Sequence, residues 1–325
     1  MTGPARIAVL DDTQDAARLA DWSVLQGRAE VTMLHAPFAN EDAAAAALLP
    51  YAILVAMRER TAFPATLLRR LPNLRMIALT GARAPTLDMD ACTAQGVLVC
   101  NTGGDTLAAT AELAWGLVLA CARGIPRADA GVRAGGWHGG LDLGRALAGT
   151  RLGVVGLGRL GSRVAAYGRA FGMDVVAWSQ NLTDDAAAAQ GVQRIEKAAL
   201  FATSNVVSVH LVLSDRTRGV VGAAEIDAMR PGAILVNTSR GPLVDGPALL
   251  SALRDGRIRA GLDVFDREPL PADDPLRTAP GVVLTPHLGY PTRAVMERFY
   301  GDSVANIAAF LDGAPIRMVN PGVPR

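Results

Sequence analysis

The chain has 325 residues, half of them apolar and 19% charged, with a formal net charge of +1. That length is enough for two hydrophobic cores, and the near-balanced charge excludes an electrostatic footprint for nucleic acid or an anionic membrane. The longest strongly apolar stretch, residues 113–122, is too short to span a bilayer, and residues 1–10 lack the basic region and apolar core of a secretory signal.

Residues 6–10, R-I-A-V-L, read as an opening strand that ends at Asp11-Asp12. Short apolar runs at 30–34, 52–57, 75–79 and 97–100 suit buried parallel strands. Between them, the alanine-rich stretch 41–49 and residues 66–71, before Pro72, read as helices. The first third is therefore predicted to be a small α/β domain with a parallel sheet. A turn-rich break at 101–105 leads into a long apolar helix over 106–123, capped near Asp105 or Thr106. The glycine-rich stretch 131–140, with Trp137 and His138, reads as a loop. Cys92, Cys100 and Cys121 are odd in number and lack metal-ligand spacing; they read as buried reduced thiols, as in a cytosolic protein, and no metal site is expected.

The next segment is the most informative. An apolar run at 152–155 leads into Gly156-x-Gly158-x-x-Gly161, and residues 164–171 carry helical character. Strand, tight turn and helix in that order are the context that makes the glycine pattern a dinucleotide-binding fingerprint. In a chain with 34 glycines the pattern alone is weak, but the flanking elements raise it well above a chance turn. The first glycine allows the turn, the second lets a pyrophosphate approach the backbone, and the third lets helix pack on strand. Gly156, Gly158, Arg159, Leu160 and Gly161 would thus cradle the phosphates at a helix N-terminus. About 150 residues precede the fingerprint, enough for a separate domain, so the cofactor domain is predicted to sit in the middle of the chain.

Apolar runs at 174–178, 206–211, 233–237, 260–264 and 282–284 follow at the strand spacing of a doubly wound sheet. A helix over 293–311 returns the chain toward the first domain. Arginine supplies nearly all the cationic charge. The one lysine, Lys197, lies in a polar helical stretch and is expected on a solvated face, which argues against Schiff-base chemistry.

Open α/β sheets place ligands at the carboxyl ends of their strands. Arg240 follows the run at 233–237, Glu268 the run at 260–264, and His287 the run at 282–284. A histidine exchanges a proton near neutral pH, and a carboxylate beside it fixes the tautomer and favours the protonated ring. An arginine offers a planar fork of donors for a substrate carboxylate. With a nicotinamide, that set is suited to reducing a 2-oxo acid. Taken singly, each is as readily a surface arginine, a loop acid or a buried histidine; together at three strand ends they favour chemistry. His210 ends a strand and would line the cofactor pocket, whereas His35 and His138 read as structural or surface residues.

These segments together resemble the D-isomer-specific 2-hydroxyacid dehydrogenase family. The likeness covers nearly the whole chain and is strongest from 101 to 290. It rests on N-T-G-G-D-T with Ala111-Glu112, G-V-V-G-L-G-R-L-G, V-S-V-H-L, R-P-G-A-I-L-V-N-T-S-R-G, G-L-D-V-F-D-R-E-P-L-P and T-P-H-L-G. The resemblance implies an α/β protein of two domains. A Rossmann-type doubly wound parallel sheet, residues 103–290, would be inserted into a smaller flavodoxin-like substrate domain built from 1–102 and 291–325. It further implies NAD or NADP as cofactor, a small 2-oxo or 2-hydroxy acid as substrate, a cytoplasmic homodimer, and Arg240, Glu268 and His287 as the catalytic set. Asp263 would contact the nicotinamide carboxamide, and Thr106 and Thr238 would lie beside the cofactor.

Three departures stand out. The run at 174–178 should end in an acid that bonds the adenosine ribose and selects NAD; Ser179 stands there, with no arginine following, so NADP is permitted but not favoured. The loop at 80–88, T-G-A-R-A-P-T-L-D, whose amides at Gly81 and Ala82 would meet the substrate carboxylate, carries Arg83 where a second glycine is common. Tyr290 is bulky where small residues are usual, and would narrow the pocket or donate a hydrogen bond. In M-R-E-R-T, Arg58 or Arg60 would reach an anionic substrate group or simply be solvated. If Arg60 and Arg83 both meet the substrate, a second acidic group on it follows. Two alternatives stay open. Formate dehydrogenase, on the same fold, is disfavoured because a neutral glutamine is expected at the place of Glu268. A cofactor-sensing binding protein of the corepressor type can retain the same three residues; against it stands the short stretch after the last helix.

Overall fold

Continuous runs of buried aliphatic residues become the strands of two all-parallel sheets. The computed structural model describes residues 3–323 apart from Arg83. The chain divides into two units, Met1–Asp105 with Pro291–Arg325, and Thr106–Tyr290.

The first unit contains β1 (Ala5–Val9), β2 (Ala29–Met33), α1 (Glu41–Leu48), β3 (Ile53–Ala56), α2 (Ala65–Leu68), β4 (Met76–Leu79), α3 (Met89–Ala94) and β5 (Leu98–Asn101). Its strands pair in the order β2-β1-β3-β4-β5, the flavodoxin-like order. Every residue of β3 and β4 is apolar and buried, as strands covered on both faces require. Asn40 and Asp88 start α1 and α3 by accepting the Ala43 and Ala91 amides.

The second unit contains α4 (Leu107–Arg123), α5 (Ile125–Arg133), β6 (Arg151–Val155), α6 (Arg159–Ala170), β7 (Asp174–Trp178), α7 (Asp184–Ala188), β8 (Gln193–Arg194), α8 (Lys197–Thr203), β9 (Val206–Val209), α9 (Ala223–Ala228), β10 (Ala233–Asn237), α10 (Gly246–Arg254), β11 (Ile258–Leu262) and β12 (Val282–Leu284). The sheet runs β12-β11-β10-β9-β6-β7-β8. Successive strands add outward from β6 through β7 to β8, and the chain then returns to the other side of β6 with β9. That reversal is the topological switch point of a doubly wound sheet, where ligands bind. The last helix, α11 (Arg293–Leu311), belongs to the first unit and buries Phe299, Tyr300 and Ile307.

The structure differs from the sequence reading in several places. Gly124, left-handed at φ 62°, ends α4, and Pro126 opens α5, so residues 131–133 are helical and not loop. Thr106 is the N-terminal boundary of α4 but makes no side-chain capping bond. The strands β9 and β11 end at Val209 and Leu262, two residues early, so His210 and Asp263 each begin a loop. Lys197 is partly exposed and not left to solvent alone: its ammonium pairs with Glu225 at 2.9 Å and lies over the Trp178 ring. The cysteines are free and buried, and burial pushes the Cys92, Cys100 and Cys121 thiols up to about 12, 11 and 12. Among the described residues no single helix is long and apolar enough to cross a membrane.

Candidate active site

The fingerprint forms the turn from β6 into α6. Gly156 has φ +99°, and a Cβ there would lie 2.9 Å from the His210 backbone across the switch point. A Cβ on Gly161 would collide with the Gly156 carbonyl oxygen, 2.0 Å away, so helix and strand touch backbone to backbone. Gly158 is different: a Cβ there would meet nothing within 4 Å. The backbone is therefore tight beneath the loop and open above the N-terminus of α6, the shape that receives a pyrophosphate. Arg159 is exposed at the start of α6, with Leu160 half-buried behind it. Ser179, half-buried after β7, turns the chain by accepting the Leu182 amide.

Two buried polar atoms at the neighbouring strand ends, His210 Nδ1 and Thr238 Oγ1, have no hydrogen-bond partner among the described residues. The other ring nitrogen of His210 lies 2.8 Å from Ser208 Oγ. Burial pushes His210 down to about 4, so its imidazole is neutral under ordinary conditions. Orphaned polar atoms beside an open phosphate cradle fit a dinucleotide. Thr106, at the head of α4, offers its carbonyl to the Thr110 amide and hydroxyl.

Beyond β10, Asn237 organises the turn: its Nδ2 donates to Arg240 O, and its Oδ1 accepts the Ser239 amide. Arg240 is half-buried and its guanidinium donates to Ser239 O. Gly241 is obligatory because a Cβ would strike the backbone of Phe265 and Asp266. The loops after β10 and β11 thus pack closely, and Arg240 comes within electrostatic reach of Glu268. The Phe265 amide donates to Glu268 Oε1, and Glu268 Oε2 lies 2.6 Å from His287 Nδ1. Burial alone would raise the Glu268 carboxyl. The His287 hydrogen bond and charge, the Phe265 amide and the Arg240 charge outweigh it and hold that carboxyl below the usual carboxylate range. Tyr290, nearly buried, sets its ring edge-on to His287 with centroids 5.9 Å apart. The structure therefore joins Glu268, His287 and Tyr290 by direct contact and Arg240 by charge.

Two of the residues expected to meet substrate, Gly81 and Arg60, make hydrogen bonds inside the first unit. The Gly81 amide donates to Thr102 Oγ1 at 2.7 Å. Arg60 donates to the Asp11 carbonyl at 2.8 Å, and Thr61 to the Asp11 carboxylate at 2.7 Å. Burial raises the Asp11 carboxyl despite the Thr61 bond and the Arg60 charge. Arg58 has φ +50° and its Nε lies 3.4 Å from Glu59. Ala82 is exposed, and Arg83 lies outside the described residues. His35 Nδ1 sits 2.8 Å from the Asp12 carbonyl. Asp12, Asp15 and His35 bring potential ligand atoms within 4.8 Å of one another, but the Asp12 carboxylate already accepts the Ala16 and Ala17 amides and the Tyr300 hydroxyl. His138 is exposed and stacks on Trp137. The sequence reading missed Ser208, Thr110 and Thr285 as partners of site residues. Ser208 and Thr285 carried the same signal, each two residues before a site histidine.

A doubly wound sheet with a glycine-rich strand–turn–helix at its switch point and a carboxylate–imidazole pair beyond β11 and β12 is the build of a nicotinamide-dependent oxidoreductase. Comparison with known proteins narrows this. Residues 115–289 match the model of the D-isomer specific 2-hydroxyacid dehydrogenase NAD binding domain. Glyoxylate reductase of Aeropyrum pernix is 40% identical over 263 residues, 78% of each chain. D-3-phosphoglycerate dehydrogenase of Mycobacterium leprae is 38% identical over 268 residues, 82% of this chain but 51% of that protein. The crystal structure of a phosphoglycerate oxidoreductase from Vibrio cholerae superposes with a TM-score of 0.90 at 38% identity, over 95% of this chain and all of that one. The chain belongs to the D-isomer specific 2-hydroxyacid dehydrogenase family, a family of NAD(P)-dependent oxidoreductases.

Proposed function

We propose that the chain interconverts a 2-oxo acid and a D-2-hydroxy acid, with His287 as general acid–base, Glu268 orienting it and Arg240 binding the substrate carboxylate. The observation that carries this reading is the 2.6 Å contact between His287 Nδ1 and Glu268 Oε2. With Nδ1 committed to a carboxylate, Nε2 is the ring nitrogen that exchanges a proton with the substrate oxygen. The Glu268 charge stabilises the imidazolium that reduction consumes and oxidation regenerates. The planar fork of Arg240 matches a carboxylate in two parallel hydrogen bonds. The nicotinamide, when bound, supplies or accepts the hydride.

The residues assigned to the cofactor are Gly156, Gly158, Arg159, Leu160, Gly161, Ser179, His210, Thr106, Thr238 and Asp263. The open space above Gly158 and the unpartnered His210 and Thr238 atoms support that assignment. The unit formed by the two chain ends is read as the substrate domain, with Arg60, Gly81, Ala82 and Arg83 as its contact residues. Tyr290, edge-on to His287, is read as shaping the substrate pocket. The same reading carries a cytoplasmic homodimer. Exposed apolar side chains at Ile125, Val132, Trp137 and Leu143 support self-association.

The test follows reduced-nicotinamide absorbance with purified protein and glyoxylate, hydroxypyruvate, pyruvate, phenylpyruvate, 2-oxoglutarate and phosphohydroxypyruvate. Each is offered with NADH and NADPH, because Ser179 leaves both open. Turnover with at least one pair is expected, and His287→Asn should lower kcat about 10³-fold while NADH still binds. Near-normal turnover of His287→Asn would remove the assignment. Tight NADH binding with no turnover across the whole panel would favour a non-catalytic sensor.

A further inference from the structure

Asp263 is the first residue after β11 and is completely buried. Its carboxylate has three donors, and all come from the five residues around His287. Thr285 Oγ1 donates to Oδ1 at 2.6 Å, the Leu288 amide to Oδ1 at 2.7 Å, and the Gly289 amide to Oδ2 at 2.9 Å. The His287 amide donates to the Asp263 carbonyl at 2.9 Å. His287 itself has φ +55°, a left-handed conformation that is unfavourable by about 1–2 kcal/mol for a residue with a side chain.

These observations explain one another. A left-handed residue followed by two inward-pointing amides makes a concave nest for an anion. Asp263 fills that nest, and a buried carboxylate is tolerable only when donors surround it. The charge-assisted bonds in turn hold His287 in a conformation it would otherwise leave. The far side of the loop is held as well: the Thr110 hydroxyl lies 2.9 Å from both Gly289 O and Thr106 O, which share its one proton. A Cβ on Gly289 would sit 3.2 Å from both Asp263 Oδ2 and Thr110 Cγ2, so the residue there is held at glycine size.

We infer that Asp263 is a positioning residue for His287, fixing the backbone of residues 285–289 while Glu268 fixes the imidazole ring. The inference rests on the reading of His287 as the acid–base. It adds to the role that family resemblance gives Asp263, contact with the nicotinamide carboxamide: Oδ2 accepts one amide and keeps acceptor capacity for a second donor.

The experiment compares the wild type, Asp263→Asn and Thr285→Val in three measurements. Asn keeps the shape but removes the charge and points an N–H₂ at an amide that needs an acceptor. Steady-state kinetics should show kcat of Asp263→Asn down about 10²-fold, as expected for a displaced catalytic group. NADH affinity by fluorescence should fall by much less than kcat, about tenfold at most. The imidazole Cε1–H NMR signals, four in this chain and assigned with His287→Asn, should show the His287 signal displaced in Asp263→Asn. Thr285→Val, which removes one donor and leaves the carboxylate, should shift kcat and the His287 signal in the same direction but less. It carries the test if Asp263→Asn fails to fold. The inference is overturned if kcat and the His287 signal are unchanged in either folded variant, or if NADH affinity falls in proportion to kcat. The NMR signal keeps the two readings apart: a wild type silent on every substrate removes the proposed function, yet the displacement still reports whether Asp263 holds the loop.

Discussion

The two units are built alike, each a parallel sheet with glycines and polar residues at its strand ends, yet those ends are used differently. In the unit Thr106–Tyr290, the strand ends hold buried polar atoms without partners among the described residues, at His210 and Thr238, and a carboxylate–imidazole pair at Glu268 and His287. In the unit formed by the chain ends, two of the expected residues make hydrogen bonds inside the unit, the Gly81 amide to Thr102 and one Arg60 nitrogen to Asp11. An unpaired buried donor or acceptor costs about 1–3 kcal/mol, and a ligand that supplies the missing partner recovers that cost. A satisfied one stabilises the loop that bears it. The contrast separates groups held ready for a ligand from groups that hold a scaffold.

The largest effect that would sharpen this contrast is at the fingerprint. Gly161→Ala places a methyl 2.0 Å from the Gly156 oxygen, and stability should fall by about 3 kcal/mol or more with loss of NADH binding. Gly158→Ala meets open space, so its urea midpoint should match wild type while NADH affinity drops. Equal stability losses in the two would break the distinction between a packing glycine and a ligand-facing one.

The next effect is on pH. Burial holds His210 at about 4 in the folded chain, against about 6.5 when unfolded. Its contribution is fully present above pH 6.5 and is lost as pH falls toward 4, because only the unfolded chain takes up the proton. Going from pH 7.5 to 5, wild type should lose roughly 2 kcal/mol through this group. His210→Gln should flatten that part of the urea-denaturation profile. An unchanged profile would mean that His210 is solvated and does not belong to a closed cofactor crevice.

The smallest effect is in the other unit. Arg60→Ala removes the bond to the Asp11 carbonyl and should cost about 1 kcal/mol. If Arg60 also meets substrate, the KM for 2-oxoglutarate or phosphohydroxypyruvate should rise several-fold more than that for glyoxylate. A stability loss with uniform KM values would confine Arg60 to scaffold work and widen the contrast between the units.

Much of the second unit was legible in advance because its signals are local. Residues 152–161 spell strand, turn and helix without reference to anything distant. Arg240, Glu268 and His287 each follow a recognisable apolar run. Where the reading slipped, the cause was non-local. The ends of β9 and β11 depend on which neighbours pair with them, and an apolar residue just past a ladder looks like one inside it. Lys197 reads as solvated because nothing near it in sequence is acidic apart from Glu196; its partner, Glu225, is 28 positions away on α9. The loop at 131–133 proved helical because a left-handed glycine and a proline restarted the helix earlier, a signal that the surrounding glycines mask.

By itself, the sequence determined the fold class, the placing of the glycine fingerprint and the strand ends that carry Arg240, Glu268 and His287, since apolar periodicity, glycine spacing and side-chain type are local properties. Only the tertiary structure showed which atoms each carboxylate touches. Asp263 and Glu268 lie five residues apart and look alike as letters, but one is sealed beneath the backbone of the His287 loop and the other grips its ring. That division depends on β11 and β12 lying side by side, which brings residues about twenty positions apart within hydrogen-bond distance.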